Sequence, residues 1–175
     1  PYDAKGLLKT AIRDNNTVIF FEHKKLYGTK GEVPDEEYTI PFGEAAIRRE
    51  GKDVTIVTYA YQTLRTLSVA EKLAKAGIDA EVIDLRTVKP MDETCILESV
   101  KKTHHLVVAQ EIWKTCSVSS EVAALVAEQA LDYLDGPIVR VTAKEAPVPF
   151  SPSLEEEVLP KEQDIYDAVL KTLGR

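Results

Sequence analysis

The stretch DLRTVKPMD, residues 84–92, decides the fold, because it follows the short apolar run of residues 80–83. An apolar run of this length is typical of a strand buried on both faces of a parallel sheet. Asp92 then opens a segment in which Ile96 and Val100 recur at the spacing of a helix face. We therefore predict a buried strand that leads through a proline-containing turn into an amphipathic helix.

The same alternation of strands and helices continues over most of the chain. Strands that alternate with helices of about 10 to 15 residues are typical of right-handed crossovers and a parallel sheet. We therefore predict an α/β fold, a three-layer sandwich with helices on both faces of the sheet. The predicted strands are 17–21, 54–59, 80–83, 106–109 and 138–141, and the predicted helices are 3–13, 62–76, 92–102, 118–131 and 161–173. We expect Asp3 to cap the first helix and residues 23–43, rich in glycine and proline, to form an extended connector.

The bulk composition excludes several classes of protein. The chain has 175 residues, 44% of them hydrophobic and 29% charged, with a net charge of -7. The acidic balance argues against a nucleic-acid-binding protein, which usually carries a basic face. No apolar run approaches the roughly 18 residues that span a bilayer, so we expect no membrane association. Two cysteines, Cys95 and Cys116, indicate a reducing compartment rather than a disulfide framework. The polar start at Pro1 carries no signal peptide and suggests the middle of a longer protein.

A search for catalytic motifs finds none. The residues after the strand at 54–59 include no Gly-x-Gly-x-x-Gly pattern, so dinucleotide binding is not expected. There is no phosphate-binding loop and no Gly-x-Ser-x-Gly elbow, and the two cysteines lack the spacing of a metal site.

Four short segments or single residues nevertheless carry polar or aromatic side chains that could function. His104 and His105 precede a strand, and we favour a helix-ending role over an acid/base or metal site. His23 follows a predicted strand end, where ligands bind in α/β sheets, but a structural role is favoured there too. Residues 111–113, Glu-Ile-Trp, could form a partner or substrate surface, or a lid on the core. Residues 155–157, Glu-Glu-Glu, are more typical of a solvated helix approach than of an acidic docking site.

A set of motifs in a fixed order resembles a known family. The motifs are AIRDNN (11–16), VIFFE (18–22), YG (27–28), YTIPFG (38–43) and DLRTVKPMD (84–92). Together they resemble the later part of the β chain of the decarboxylating component of a 2-oxo acid dehydrogenase complex, with the pyruvate enzyme most similar. That chain belongs to the transketolase-like thiamine enzymes. The resemblance spans nearly all of the sequence.

The resemblance implies a domain organisation and a role. Residues 1–22 would be the last helix and strand of a pyrimidine-binding thiamine domain, residues 23–50 an interdomain connector, and residues 51–175 a transketolase-like C-terminal domain. The complete enzyme would be an α2β2 heterotetramer that binds thiamine diphosphate and magnesium, decarboxylates a 2-oxo acid and transfers the acyl group to a lipoyl arm. The cofactor-activating glutamate would lie upstream and the diphosphate site on the α subunit. This stretch would then contain no catalytic or cofactor-binding residue and would serve assembly.

The resemblance also implies a structural potassium ion, held by Ala11, Ile12, Asp14 and Asn16. From the residues alone, Asp14 to Asn16 are a plain helix stop, although the free carbonyl groups at a helix end do suit a hard cation. The implied partners are the α subunit, a second β subunit and the dihydrolipoyl acyltransferase core, in the bacterial cytoplasm or else the mitochondrial matrix or plastid stroma. Two alternatives remain: an acetoin or branched-chain 2-oxo acid enzyme, and a non-catalytic protein-interaction domain.

Overall fold

A five-stranded sheet flanked by helices forms the body of the protein in the computed structural model, which describes residues 1–175. The helices are α1 (Tyr2–Arg13), α2 (Tyr61–Lys75), α3 (Glu93–Thr103), α4 (Val118–Gln129), α5 (Pro152–Val158) and α6 (Glu162–Thr172). The strands are β1 (Ala46–Arg49), β2 (Val54–Thr58), β3 (Ala80–Asp84), β4 (Leu106–Trp113) and β5 (Val139–Ala143). Two short 3-10 helices, Lys24–Leu26 and Leu131–Tyr133, complete the regular structure.

The strand order in the sheet is β1-β3-β2-β4-β5. Strands β2 to β5 are parallel, whereas β1 pairs antiparallel with β3 at one edge. The chain runs from β2 to β3 on one side and then returns to place β4 on the other side of β2. The carboxyl ends of β2 and β4 therefore form the topological switch point, where ligands bind in open α/β sheets.

The core lies in two layers, one on each face of the sheet. Helices α2 and α6 cover one face, where Leu73 and Ile165 are completely buried against Ile56. Helices α3 and α4 cover the other face, with Ile96 and Val122 equally buried. The predicted three-layer α/β sandwich is confirmed.

The regular elements after residue 53 match the prediction, apart from one side chain of α2, the length of β4 and the additional helix α5. Leu64 shares the apolar pattern of the predicted helix at 62–76 but is 41% exposed. At 3.6 residues per turn it lies half a turn away from Leu73, which is fully buried. Strand β4 continues to Trp113, four residues beyond the predicted end. Strand β1 and helix α5 were not expected, because β1 is only four residues long and carries two arginines.

The predicted strand at 17–21 is wrong for this chain. Residues 17–21 form no regular element and make no backbone hydrogen bond, since no strand of the sheet lies beside them. Ile19 is 74% exposed and Phe21 89% exposed. The assignment of residues 1–22 to a pyrimidine-binding domain therefore remains a prediction.

Helix α1 stands beside the connector rather than on the sheet. Its Gly6 lies so close to Ile40 that a Cβ atom there would sit 2.6 Å from Cγ1 of that side chain. The expected capping role of Asp3 is wrong: Pro1 occupies the N-cap, and the Asp3 carboxylate instead forms ion pairs with Arg48 and Arg86. These pairs tie α1 to the edge of the sheet.

Candidate functional site

A cavity of about 450 Å³ lies at the topological switch point, between the loop that follows β2 and the last three residues of β4. Its volume falls in the range of small-molecule and side-chain binding sites. The lining is mostly apolar with one acidic group and one imidazole, and consists of His23, Tyr59, Ala60, Glu111, Ile112, Trp113 and Val148.

Two departures from regular backbone shape this cavity. Ala60, between β2 and α2, has φ 54 and ψ -135, a conformation that residues other than glycine rarely adopt. The pairing of β4 with β5 shifts register between Ala109 and Trp113. An irregularity of this kind bends a strand and re-aims its side chains, here Glu111 and Trp113.

The polar centre of the cavity is a hydrogen bond between His23 and Glu111. His23 Nε2 lies 2.8 Å from Glu111 Oε2, and the backbone N–H of Lys25 donates to His23 Nδ1 over 3.3 Å. Because Nδ1 accepts a hydrogen bond, the ring proton resides on Nε2 and is donated to the carboxylate. The imidazole also stacks on Tyr61, with 5.2 Å between ring centroids. The His23 side chain is thus held by the Glu111 carboxylate at one ring nitrogen and by the Lys25 backbone at the other.

The aromatic walls are equally fixed. Trp113 Nε1–H donates to the carbonyl oxygen of Ala146 over 3.1 Å, and Gln110 Nε2 donates to the carbonyl oxygen of Trp113 over 3.2 Å. Burial, and to a lesser degree the charge of Glu111, raises the pKa of Tyr59, so its phenol stays protonated at neutral pH. Trp113 is 45% exposed, which favours the surface interpretation over a lid on the core.

This arrangement is suited to binding. The lining contains no serine, threonine, cysteine or lysine that could act as a nucleophile. The sequence points to His23 and to the segment 111–113 separately, and the structure brings the side chains of His23 and Glu111 together. Ala60 was missed, since nothing in its side chain signals a positive φ.

The four residues of the predicted potassium site lie at the end of α1. Asp14 is the C-cap, and its Oδ1 accepts hydrogen bonds from the backbone and side-chain nitrogens of Asn16 over 2.7 and 2.9 Å. The carbonyl oxygens of Ala11 and Ile12 accept no backbone N–H. Free carbonyl groups beside a carboxylate and an amide are an oxygen-only donor set, which fits a hard cation. The potassium site stays a prediction.

The other flagged segments have structural roles. His104 is the left-handed C-cap of α3, with φ 61, and its Nδ1 lies 2.8 Å from the carbonyl oxygen of Tyr133. No cluster of three or more histidine, cysteine or acidic side chains could hold a metal ion. Both cysteines are free, and burial raises the pKa of Cys95 to about 11. None of the six α-helices combines the length and the apolar character that a membrane-spanning helix needs.

The acidic run at 155–157 belongs to helix α5 rather than to an approach to α6. Glu157 forms an exposed ion pair with Lys161 over 2.8 Å, and the hydrogen bond from that lysine lowers the pKa of Glu157. Glu156 is exposed and Glu155 half-buried. Two carboxylates of the run are therefore free of ion pairs.

Fold and sequence together define the class of protein. The model of the transketolase C-terminal domain matches residues 43–165, and the chain belongs to that family. A solved structure described as a split gene transketolase, inactive β4 tetramer, superposes with a TM-score of 0.69 at 30% identity, covering 82% of this chain and 46% of the other.

Curated relatives narrow the similarity further. The chain is 49% identical over 99% of its length to the β subunit of acetoin:2,6-dichlorophenolindophenol oxidoreductase from Bacillus subtilis, and 51% identical to that from Cupriavidus necator. It is 49% identical over 98% of its length to the pyruvate dehydrogenase E1 component subunit β from Rickettsia felis. The chain spans about half of each relative, 51%, 51% and 53% respectively. The predicted family is confirmed.

Proposed function

We propose that this chain is part of the β subunit of a thiamine-diphosphate-dependent oxidoreductase of the 2-oxo acid dehydrogenase type. The observation that supports this most directly is identity of about half over nearly the whole chain to β subunits of two such enzymes. Thiamine diphosphate would supply carbanion stabilisation in the complete enzyme. This stretch contributes the C-terminal domain, which serves subunit assembly.

Pyruvate is the substrate that we propose first, with transfer of the acetyl group to lipoyl. The run from Arg13 to Asn16 and the Trp113 region resemble the pyruvate enzyme. Acetoin is the second candidate, and the 51% identity to the Cupriavidus necator subunit favours it. The family resemblance implies that most of the substrate pocket lies upstream and on the α chain, so we expect the substrate choice to be made elsewhere in the enzyme.

A chimera tests whether this chain serves assembly while another part of the enzyme selects the substrate. The matching half of the Bacillus subtilis acetoin subunit, and separately that of the Rickettsia felis pyruvate subunit, is replaced by this chain. We expect both chimeras to assemble with their own α subunits and to keep the substrate of the host. Chimeras that assemble normally but lose all turnover would contradict an assembly role. The 175-residue chain alone should show no thiamine-dependent turnover of pyruvate.

The proposed partners are an α subunit, a second β subunit and a dihydrolipoyl acyltransferase core. Three exposed apolar side chains mark the surface that we propose for the second β subunit: Ile112 at 52%, Trp113 at 45% and Val148 at 57%. Obligate interfaces are apolar at their centre and commonly exceed roughly 2,000 Å². With the upstream half restored, sedimentation at micromolar concentration should show a dimer, and a strict monomer would count against it. We place the enzyme in the bacterial cytoplasm, which cell fractionation would test.

A further inference from the structure

The cavity between β2 and β4 contains a half-buried carboxylate that lacks a lysine or arginine partner. The Glu111 side chain is 19% exposed, and its single ion-pair contact is with His23, whose Nδ1 accepts a hydrogen bond from the Lys25 backbone. Glu111 Oε1 is buried and accepts no hydrogen bond. Removing a carboxylate from water is costly unless a cation or several donors compensate it.

The other shielded carboxylates in ion pairs all have such a cation. Asp3, with 27% of its side chain exposed, and Asp84, with 12%, both contact Arg48. Glu81, with no exposure at all, contacts Lys102. Among these shielded carboxylates that form ion pairs, only Glu111 has no lysine or arginine beside it, and it lines the cavity.

The walls of the cavity indicate which cation fits. The rings of Tyr59 and Trp113 line it beside Glu111. A guanidinium group is planar, lies against aromatic faces and donates two parallel hydrogen bonds to a carboxylate, whereas an ammonium group is a compact, strongly hydrated charge. Aromatic walls next to a carboxylate thus favour arginine over lysine.

The rim of the cavity indicates a protein as the source of that cation. Ile112 and Val148 line the cavity and are 52% and 57% exposed, and Phe150 nearby in sequence is fully exposed. Large apolar side chains that cluster on a surface mark protein interfaces. Arginine is also one of the residues that dominate the binding energy of such interfaces.

We propose that this cavity binds an arginine side chain of a partner protein. The guanidinium group pairs with Glu111 and lies against Trp113, and Ile112 and Val148 contact the residues on either side of the arginine. The site shares Ile112, Trp113 and Val148 with the surface proposed above for the second β subunit, and it rests on that proposal for the identity of the partner, whereas recognition of the guanidinium group rests on the contacts of Glu111 in this chain.

The single tryptophan of the chain gives the proposal a direct readout. N-propylguanidinium is titrated into the chain while the fluorescence of Trp113 and its indole N–H resonance are followed. We expect saturable changes in the millimolar range. N-propylurea has nearly the same shape without the charge, and we expect it to bind at least about tenfold more weakly. Equal binding of the two would show an apolar cleft without charge recognition and would overturn the proposal, as would the absence of saturation.

Two variants locate the charge that is recognised. Glu111→Gln keeps the shape of the side chain and should weaken binding of N-propylguanidinium at least about tenfold. Glu128→Gln, on the exposed face of α4, is the matched control and should leave it unchanged. Equal affinity in both variants would overturn the proposal. So would an imidazolium form of His23 at neutral pH in nitrogen NMR spectra, because Glu111 would then already have its cation.

A peptide distinguishes a protein from a small molecule as the source of the guanidinium group. Acetyl-Leu-Arg-Leu-amide carries apolar residues on both sides of the arginine, and we expect it to bind more tightly than N-propylguanidinium. Exclusion of the peptide, with N-propylguanidinium still bound, would identify a small-molecule site and overturn the docking proposal.

Discussion

The carboxylate of Glu81, completely buried in β3, pairs with the ammonium group of Lys102 near the end of α3. Ser99 donates a further hydrogen bond to the same carboxylate, and Thr55 Oγ1 lies 2.6 Å from Ser99 Oγ. The network joins the central strands to one helical layer. A buried carboxylate keeps all of its hydrogen-bond partners only when the strands and the helix that supply them are in one relative arrangement. The network therefore helps to fix that arrangement.

Removal of the Lys102 ammonium group should lower the stability of the fold. Lys102→Met leaves the Glu81 carboxylate buried without its cation, with only neutral donors such as Ser99, and we expect the free energy of unfolding to fall by about 3 kcal/mol. Urea denaturation measures it. Lys101→Met, which breaks an exposed pair with Glu98, is the control and should change stability little. Equal effects of the two variants would show that the Glu81 pair contributes no more than a surface pair.

The same pair predicts a pH dependence. Burial alone would raise the pKa of Glu81, but hydrogen bonds from Lys102 and Ser99 outweigh it and hold the pKa below its usual value. Because the folded pKa lies below the unfolded value, about 4.3, the stabilisation is present above that pH and is lost as pH falls through the folded pKa. Between about pH 7 and about pH 3, the wild type should therefore lose more stability than Glu81→Gln. Parallel pH profiles would contradict this.

The hydrogen bond between His23 and Glu111 should hold the connector against the C-terminal domain. His23→Phe keeps an aromatic ring near Tyr61 but removes the bond to the carboxylate. We expect trypsin to cleave after Lys24 or Lys25 several-fold faster in this variant. Tyr27→Phe, which loses only an exposed bond to Glu22, is the control. Unchanged cleavage in His23→Phe would show that other contacts anchor the segment.

Residues 17–21 should become a strand when the upstream half of the protein is present. Ile19 and Phe21 are large apolar side chains that are mostly exposed to water. Such side chains are usually covered by another part of a protein. Restoring the upstream residues should bury both side chains and slow amide hydrogen exchange across 17–21 by orders of magnitude. Exchange rates that do not change would refute the assignment of this segment to a second domain.

The sequence predicts the secondary structure best where a regular pattern of apolar residues faces the core. The pattern of Ile96 and Val100 in α3, and the apolar run of β3, determine both elements locally, and both were predicted. Residues 17–21 have an equally apolar pattern, but a strand needs a neighbour for its hydrogen bonds, which no local pattern supplies. The cavity likewise depends on contacts between His23 and Glu111, 88 positions apart, and on the backbone of Ala60.

The acidic helix α5 provides a docking prediction. We propose that Glu155 and Glu156 face a basic binding domain of the acyltransferase core. Glu155→Lys combined with Glu156→Lys should slow association and flatten its salt dependence, because complementary charge mainly raises association rates. Stopped-flow association at two salt concentrations measures both. The control is the double reversal Glu71→Lys with Glu128→Lys, at exposed positions on α2 and α4. Identical rates in the two double variants would show that α5 is not the docking site.

The most direct test is reconstitution of the complete enzyme. The full-length protein containing this chain is co-expressed with its α subunit, and oxidation of pyruvate and of acetoin is followed with thiamine diphosphate and magnesium present. We predict turnover of one of the two substrates that depends on thiamine diphosphate and on both subunits, and none from the 175-residue chain alone. A correctly assembled complex that turns over neither substrate would contradict the assignment to this class of thiamine enzymes.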